Sequence, residues 1–273
     1  MTKFILLLFL SAYLLIFSTP LYSQGLPNTD IYLATISSEN GLVSIGALKN
    51  ITHRDGYDNQ PSFLADGKSI LYTSIRADSQ ADIYQYEIDR DTSLQITATK
   101  ESEYSPTQMP DSEHFSVVRV EKDSTQRLWK FDLDGSNPQL VLKTIKPVGY
   151  QCWVDSQHVA LFVLGNPNFL MLVDTKTEKA GTIANNIGRT LRMIPGVNAF
   201  SFVYKQDDTT WYVSMYDMET KQMSLLAPTV KGSEDFAWLP DGTILMSSGS
   251  AIYKFYHGTD SNWQLVKIGR AHV

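Results

Sequence analysis

The chain is predicted to be an all-β protein folded as a β-propeller, and three observations predict it. A turn-bounded strand pattern recurs at a steady interval, four strand-like segments fill each interval, and the composition favours strands. The turns fall at Asp66-Gly67, Asp111-Ser112, Asp155-Ser156, Pro195-Gly196 and Asp241-Gly242, and the anchors 66, 111, 155, 196 and 241 lie 45, 44, 41 and 45 residues apart. Four strands per 40 to 45 residues is the period of a propeller blade. Apolar residues make up 43% of the chain and aromatics 11%, a globular composition in which β-formers are plentiful.

The N-terminus reads as an export leader over residues 1–23. Lys3 gives a positive start, Phe4 to Phe17 is almost uninterruptedly apolar, and Ser18-Thr19-Pro20 ends the run before Ser23. Such a run spans about 21 Å as a helix, short of the roughly 30 Å of a bilayer core, so cleavage is expected and membrane insertion afterwards is not. A periplasmic or secreted bacterial product follows. The triplet Asn50-Ile51-Thr52 matches a glycosylation acceptor, a signal that matters only in a eukaryotic secretory route. The one cysteine, Cys152, lies between Gln151 and Trp153 in an apolar strand, so it reads as an inert core thiol, and no internal disulfide can form.

After the leader, Asp30 to Leu33 and Leu48 to Thr52 look like the third and fourth strands of a blade without its first two. The first complete unit then shows the full order. Pro61 to Leu64 is strand A, the Asp66-Gly67 turn leads to strand B at Ser69 to Ser74, strand C is Asp82 to Ile88 and strand D is Leu94 to Thr97. Glycine accepts positive φ and aspartate bonds its own backbone, which gives the reversal that two antiparallel strands need. Alternation along Ile83 to Ile88 assigns one face inward and one outward. Later turns are degenerate, and the last unit ends with strand D at Trp263 to Val266. The propeller is therefore expected over residues 24–266, as five full blades and half of a sixth in a six-bladed ring. Residues 267–273, Lys-Ile-Gly-Arg-Ala-His-Val, match the translation of a sequencing adapter and are expected to be an artefact of a truncated record.

The residues from Asn59 to Thr97, in particular Gln60-Pro61-Ser62-Phe63, Asp66 to Ser74, Asp82-Ile83-Tyr84 and Leu94 to Thr97, resemble the repeat of the TolB-type WD40-like (PD40) propeller family. The resemblance runs along the whole mature chain. It implies a propeller strongly and a function weakly, because similar blades serve as partner-binding platforms and as domains of peptidases.

Charge and motifs narrow the functional field. The formal net charge is −6, or −7 once Lys3 leaves with the leader, and no basic patch stands out, so a nucleic-acid partner is not expected. No Gly-x-Ser-x-Gly elbow occurs, and Ser247-Ser248-Gly249-Ser250 reads as a hairpin. His53, His114, His158 and His257 lack metal-ligand spacing, and Asp132 to Asn137 reads as a turn rather than a calcium loop, so neither metal nor cofactor is expected.

The loops that lead from strand D of one blade to strand A of the next remain as candidates, because they gather at one mouth of the channel. Arg54, Asp58, Glu103, Tyr104, Tyr150, Gln151, Arg189, Arg192, Glu234 and Asp235 fall there, and the arginines are expected to face the acids, Glu101 included, across the opening. Two expectations stand side by side: a recognition surface, or ion pairs that staple the blades. The favoured reading is a monomeric, non-enzymatic propeller that binds a protein or peptide at this mouth. The alternative is an enzyme, either a carbohydrate lyase or the first domain of a longer serine peptidase.

Overall fold

The computed structural model describes residues 27–39, 41–76, 79–266 and 268. The expected leader and most of the expected adapter tail lie outside the described residues. Every regular element among those residues is a strand, and the strands form five four-stranded antiparallel sheets and one N-terminal hairpin. The described residues form a β-propeller of five complete blades, where five full blades and half of a sixth in a six-bladed ring were expected.

The hairpin comprises β1 (Tyr32–Leu33), β2 (Ile36–Glu39), β3 (Leu42–Ile45) and β4 (Lys49–Asn50), with β1 paired to β4 and β2 to β3. The two stretches expected as outer strands thus do pair. The first blade is β5 (Tyr57–Phe63), β6 (Ser69–Ile75), β7 (Ala81–Glu87) and β8 (Thr92–Gln95). The second is β9 (Ser102–Gln108), β10 (His114–Val120), β11 (Gln126–Asp132) and β12 (Gln139–Leu140). The third is β13 (Val148–Trp153), β14 (His158–Val163), β15 (Phe169–Asp174) and β16 (Ala180–Asn185). The fourth is β17 (Ile187–Met193), β18 (Ala199–Lys205), β19 (Trp211–Asp217) and β20 (Met223–Pro228). The fifth is β21 (Phe236–Trp238), β22 (Thr243–Ser248), β23 (Ala251–Tyr256) and β24 (Gln264–Val266). Each blade runs in sequence order from its inner strand outward.

The turn chemistry is as the repeat requires. Asp66 accepts the Lys68 and Ser69 amides at 2.8 and 2.9 Å, while Gly67 takes φ +65°. In the degenerate second unit Asp111 holds the amides of Glu113 and His114, and Ser112 adopts φ +61° where glycine would sit freely. His114 and His158 open β10 and β14, each ring bonded at 2.8 Å to its turn aspartate. Asp132 to Asn137 is a turn, with Asp134 accepting the Ser136 amide and Asp132 the Asn137 side chain.

The core is distributed between blades. A two-residue side-chain period points alternate residues of a strand at opposite neighbours. On β10, Phe115 and Val117 pack against Leu64, Leu71 and Ile83 of the first blade, whereas Val118 packs against Val148, Trp153 and Leu161 of the third. Comparable clusters centre on Phe162, Leu191 and Phe202 between the third and fourth blades, and on Val203, Phe236 and Ile244 between the fourth and fifth. Ile31 and Ile51 of the hairpin complete a fifth cluster with Ile70, Tyr72 and Tyr84 of the first blade.

The contact between the hairpin and the fifth blade is different in kind. It includes a Ser38 hydroxyl bond to Asp241, Gly41 against the Tyr256 ring and a parallel bridge from Ile45 to Ile268. The hairpin leaves Tyr32 57% and Leu42 76% exposed, with Ile36 and Leu48 also in solvent. Scant apolar burial makes a segment open easily. Amides of β2 and β3 are therefore expected to exchange with deuterium at an opening free energy lower by about 2 kcal/mol or more than those of β6 and β14. Equal protection would mean that the ring has no weak seam.

Candidate functional site

The inner strands start earlier than the apolar pattern indicated, and this relocates the candidate residues. Tyr57 to Gln60 belong to β5, Glu103 and Tyr104 to β9, Tyr150 and Gln151 to β13, and Arg189 and Arg192 to β17. They lie in strands, not in loops: Tyr57, Gln60, Tyr150, Gln151, Arg189 and Arg192 line the channel, whereas Asp58 and Glu103 are buried. Of the ten, Arg54, Glu234 and Asp235 lie outside strands. β5, β9, β13 and β17 each slip register against their second strand, between Asn59 and Ser62, Tyr104 and Thr107, Val148 and Tyr150, and Ile187 and Leu191. Such bulges re-aim side chains. At Gly149 the backbone comes so close to Phe162 that a Cβ would lie 2.8 Å from the ring, and Tyr150 next to it meets Phe162 edge to face.

The five inner strands enclose a cavity of about 870 Å³. Its wall includes Tyr57, Gln60, Thr107, Tyr150, Gln151, Arg189, Arg192 and Asp235, interleaved with apolar Pro61, Pro106, Trp153, Met193 and Phe236. Tyr150, Gln151, Arg189, Arg192 and Asp235 were anticipated, and Tyr57 was not singled out. Burial pushes the Tyr57 phenol above its ordinary pKa, the neighbouring phenols of Tyr150 and Tyr104 push it further, and the Arg189 guanidinium offsets part of the rise. Three tyrosines from three blades therefore converge beside an arginine from a fourth.

The acids are committed elsewhere. Arg189 donates to Asp235 through Nε at 2.9 Å and through one terminal nitrogen, and the Thr190 hydroxyl adds a bond at 3.1 Å. This fork holds the Asp235 carboxyl below the usual range. Glu234 receives Lys205 and the Arg189 amide. Asp58, which is buried, pairs with Arg54 at 3.5 Å. Burial raises its carboxyl, and the charges of Arg54 and Arg76 offset part of the rise. Arg54 also donates to the Ile75 carbonyl at 2.6 Å. The expected pairing across the opening is thus replaced by pairs within a blade or between adjacent ones.

Glu103 departs furthest from expectation. It is 0% exposed and lies away from the channel, bonded to the Thr97 and Thr99 hydroxyls at 3.2 and 2.6 Å and to Arg119 Nε at 3.1 Å. Arg119 on β10 also meets Glu101 at 3.3 Å, and its guanidinium lies 4.3 Å from the Trp129 ring centre. The group ties the first blade to the second. Sequence reasoning passed over Arg119 because its partners come from two other strands and an interblade loop. Gln151, by contrast, stitches the second and third blades, its amide donating to the Ser105 carbonyl at 2.7 Å. Trp153 and Trp238 repeat one contact, each indole donating to a serine of the preceding blade, Ser116 at 2.9 Å and Ser201 at 2.8 Å. Cys152 is buried, and burial pushes its thiol up to about 11, as an inert core position requires.

Arg192 is the exception among the charges. Its guanidinium makes one hydrogen bond among the described residues, to the Leu191 carbonyl at 3.0 Å, and no ion pair. The phenols of Tyr57, Tyr104 and Tyr150 likewise have no hydrogen-bond partner among the described residues.

Against this geometry, no family model matches the chain, and no curated protein matches it. Solved structures do. TolB from Acinetobacter baumannii aligns with a TM-score of 0.61 at 15% identity over 78% of this chain and 55% of that one. The chain thus spans about half the length of that protein. A protein assigned as TolB from Agrobacterium tumefaciens aligns at 0.65 and 10% identity, covering 80% of this chain and 83% of its own. A chain of the nidogen/laminin complex aligns at 0.66 and 9% identity, covering 90% and 92%. The fold is a β-propeller similar to those of TolB and of the nidogen/laminin complex.

The interblade charge group generates a pH prediction. Burial pushes the Glu103 carboxyl up to about 7 from an ordinary 4.5, outweighing the pull of Thr99 and Arg119, with Asp82 adding to the rise. A raised carboxyl pKa favours the folded state fully below the ordinary value, and that contribution is lost as pH rises through the folded value. The urea midpoint is expected to fall between pH 4.5 and 7 through this group, and Glu103→Gln is expected to flatten that decline. An unchanged slope in the variant would show that Glu103 is ionised in the fold throughout.

Proposed function

We propose that this chain is an exported, non-catalytic propeller that binds a protein or peptide at the channel mouth where the inner strands begin. One observation carries the reading. A cavity of about 870 Å³ opens between the inner strands, its wall bearing tyrosines whose hydroxyls have no partner among the described residues and an arginine without an ion pair there. Tyrosine supplies rigid contact area at low entropic cost, and arginine supplies directed hydrogen bonds, the two side chains richest in binding hot spots. A cavity of this size accommodates several residues of an extended segment, consistent with the usual range of pockets, about 300 to 1,000 Å³. The resemblance to partner-binding propellers supports the reading, as does the occurrence of a similar chain within a protein complex. Export rests on the leader pattern of residues 1–23.

We propose in addition that the ring is built on a six-bladed plan, with the hairpin standing where the outer strands of a sixth blade belong. Its apolar cluster with the first blade matches the interblade clusters elsewhere, and its exposed Tyr32, Ile36, Leu42 and Leu48 are the residues that inner strands would cover.

Peptides selected on the immobilised protein from a displayed random library test the binding site. Replacing the half-buried Tyr57 and Tyr150 by alanine is expected to weaken the selected peptides by tenfold or more, about 1.4 kcal/mol, in a double variant whose circular dichroism matches the wild type. Retained affinity in a folded double variant would place the binding surface elsewhere.

A further inference from the structure

The charges on the channel wall are unbalanced, and the imbalance specifies a ligand. Three charged side chains line the cavity, Arg189, Arg192 and Asp235, so the wall carries two positive charges against one negative. Asp235 is consumed by Arg189 through the two-pronged bond and by the Thr190 hydroxyl. Arg192 adds its charge to the field that keeps Asp235 ionised but makes no ion pair with it, and its guanidinium lines the channel. Arg192 occupies the same place in its blade as Ser62, Thr107 and Cys152 in theirs, each opposite the third residue of the blade's second strand, and all four line the cavity. Thus one position around the ring carries a hydroxyl in two blades, a thiol in one, alanine in the fifth (Ala237) and a charge only in the fourth. The chain as a whole is acidic, at −6, so a positive wall is a local feature, sensed within a screening length of about 8 Å.

Donor chemistry points the same way. The Tyr57 and Tyr150 phenols and the Arg192 guanidinium offer O–H and N–H groups, and the carboxylate at the wall is already bonded. The complement of such a surface is a ligand rich in acceptors. A guanidinium fork matches a carboxylate or a phosphate. One uncommitted cation balances one negative charge, whereas a dianion would place its second charge, uncompensated, near Asp235. Apolar Pro61, Pro106, Trp153, Met193 and Phe236 on the same wall suit the chain on either side of the carboxylate.

We infer that the channel selects an extended peptide carrying a single acidic side chain, whose carboxylate is received by Arg192. The inference rests on the peptide-binding reading and goes beyond it in naming the recognised group. Pools of acetylated, amidated pentapeptides with a fixed central glutamate, glutamine, lysine or phosphoserine and random flanks distinguish the two. With wild-type protein in calorimetry or fluorescence anisotropy, the glutamate pool is expected to bind about tenfold tighter than the glutamine pool and tighter than the other two. Arg192→Gln is expected to bring glutamate and glutamine within about twofold of each other, leaving the glutamine pool's affinity as it was. Equal binding of glutamate and glutamine by the wild type, a phosphoserine pool that binds tightest, or a preference that survives Arg192→Gln overturns the inference and leaves peptide binding standing. Failure of every pool to bind overturns both.

Discussion

Burial of apolar side chains between neighbouring sheets is the interaction on which the rest of the molecule depends. A four-stranded antiparallel sheet has two faces, and a blade in a ring has to cover both. Strand alternation solves this with one sequence rule, visible on β10, where Phe115 and Val117 serve one interface and Val118 the other. Because each face is apolar, each blade needs a neighbour on either side, and the ring follows. Where the partner is a hairpin rather than a blade, at the fifth blade, polar and backbone contacts take over and apolar side chains remain in water.

The same rule decides what the inner strands are free to do. Their residues just before the turn, Leu64, Met109, Trp153, Ile194 and Leu239, are all buried, so the base of each inner strand is fixed by packing. Higher up, the bulges turn the chain and release side chains into the channel. There the charges divide into two sets. Glu103 with Arg119, Glu234 with Lys205, and Asp235 with Arg189 hold the ring together, whereas Arg192 makes no ion pair among the described residues and the hydroxyls of Tyr57 and Tyr150 stay unbonded there. The two expectations for the polar mouth, recognition and stapling, therefore apply to different residues.

The repeat was legible because it is local. An aspartate that bonds the amides two and three positions on, and a residue that accepts positive φ, leave a mark that survives in degenerate form at Asp111-Ser112. Strands with apolar alternation were equally plain. The starts of the inner strands were not, because Tyr57-Asp58-Asn59-Gln60 face the channel on one side and a packed interface on the other, and no periodicity marks them. Ion pairing was least legible. Glu103 finds Arg119, and Trp153 finds Ser116, through contacts across strands or between blades that no spacing along the chain encodes.

A division of labour between buried interblade groups and an unburdened channel wall is the central claim, and equilibrium unfolding of two variants tests it most directly. Phe131, fully buried between the first and second blades, is expected to lose about 3 to 5 kcal/mol as Phe131→Ala. Arg192→Ala, on the channel wall, is expected to stay within about 0.5 kcal/mol of the wild type. A large loss in Arg192→Ala, comparable to that of Phe131→Ala, would mean that the channel wall holds the ring together and is not free to recognise anything.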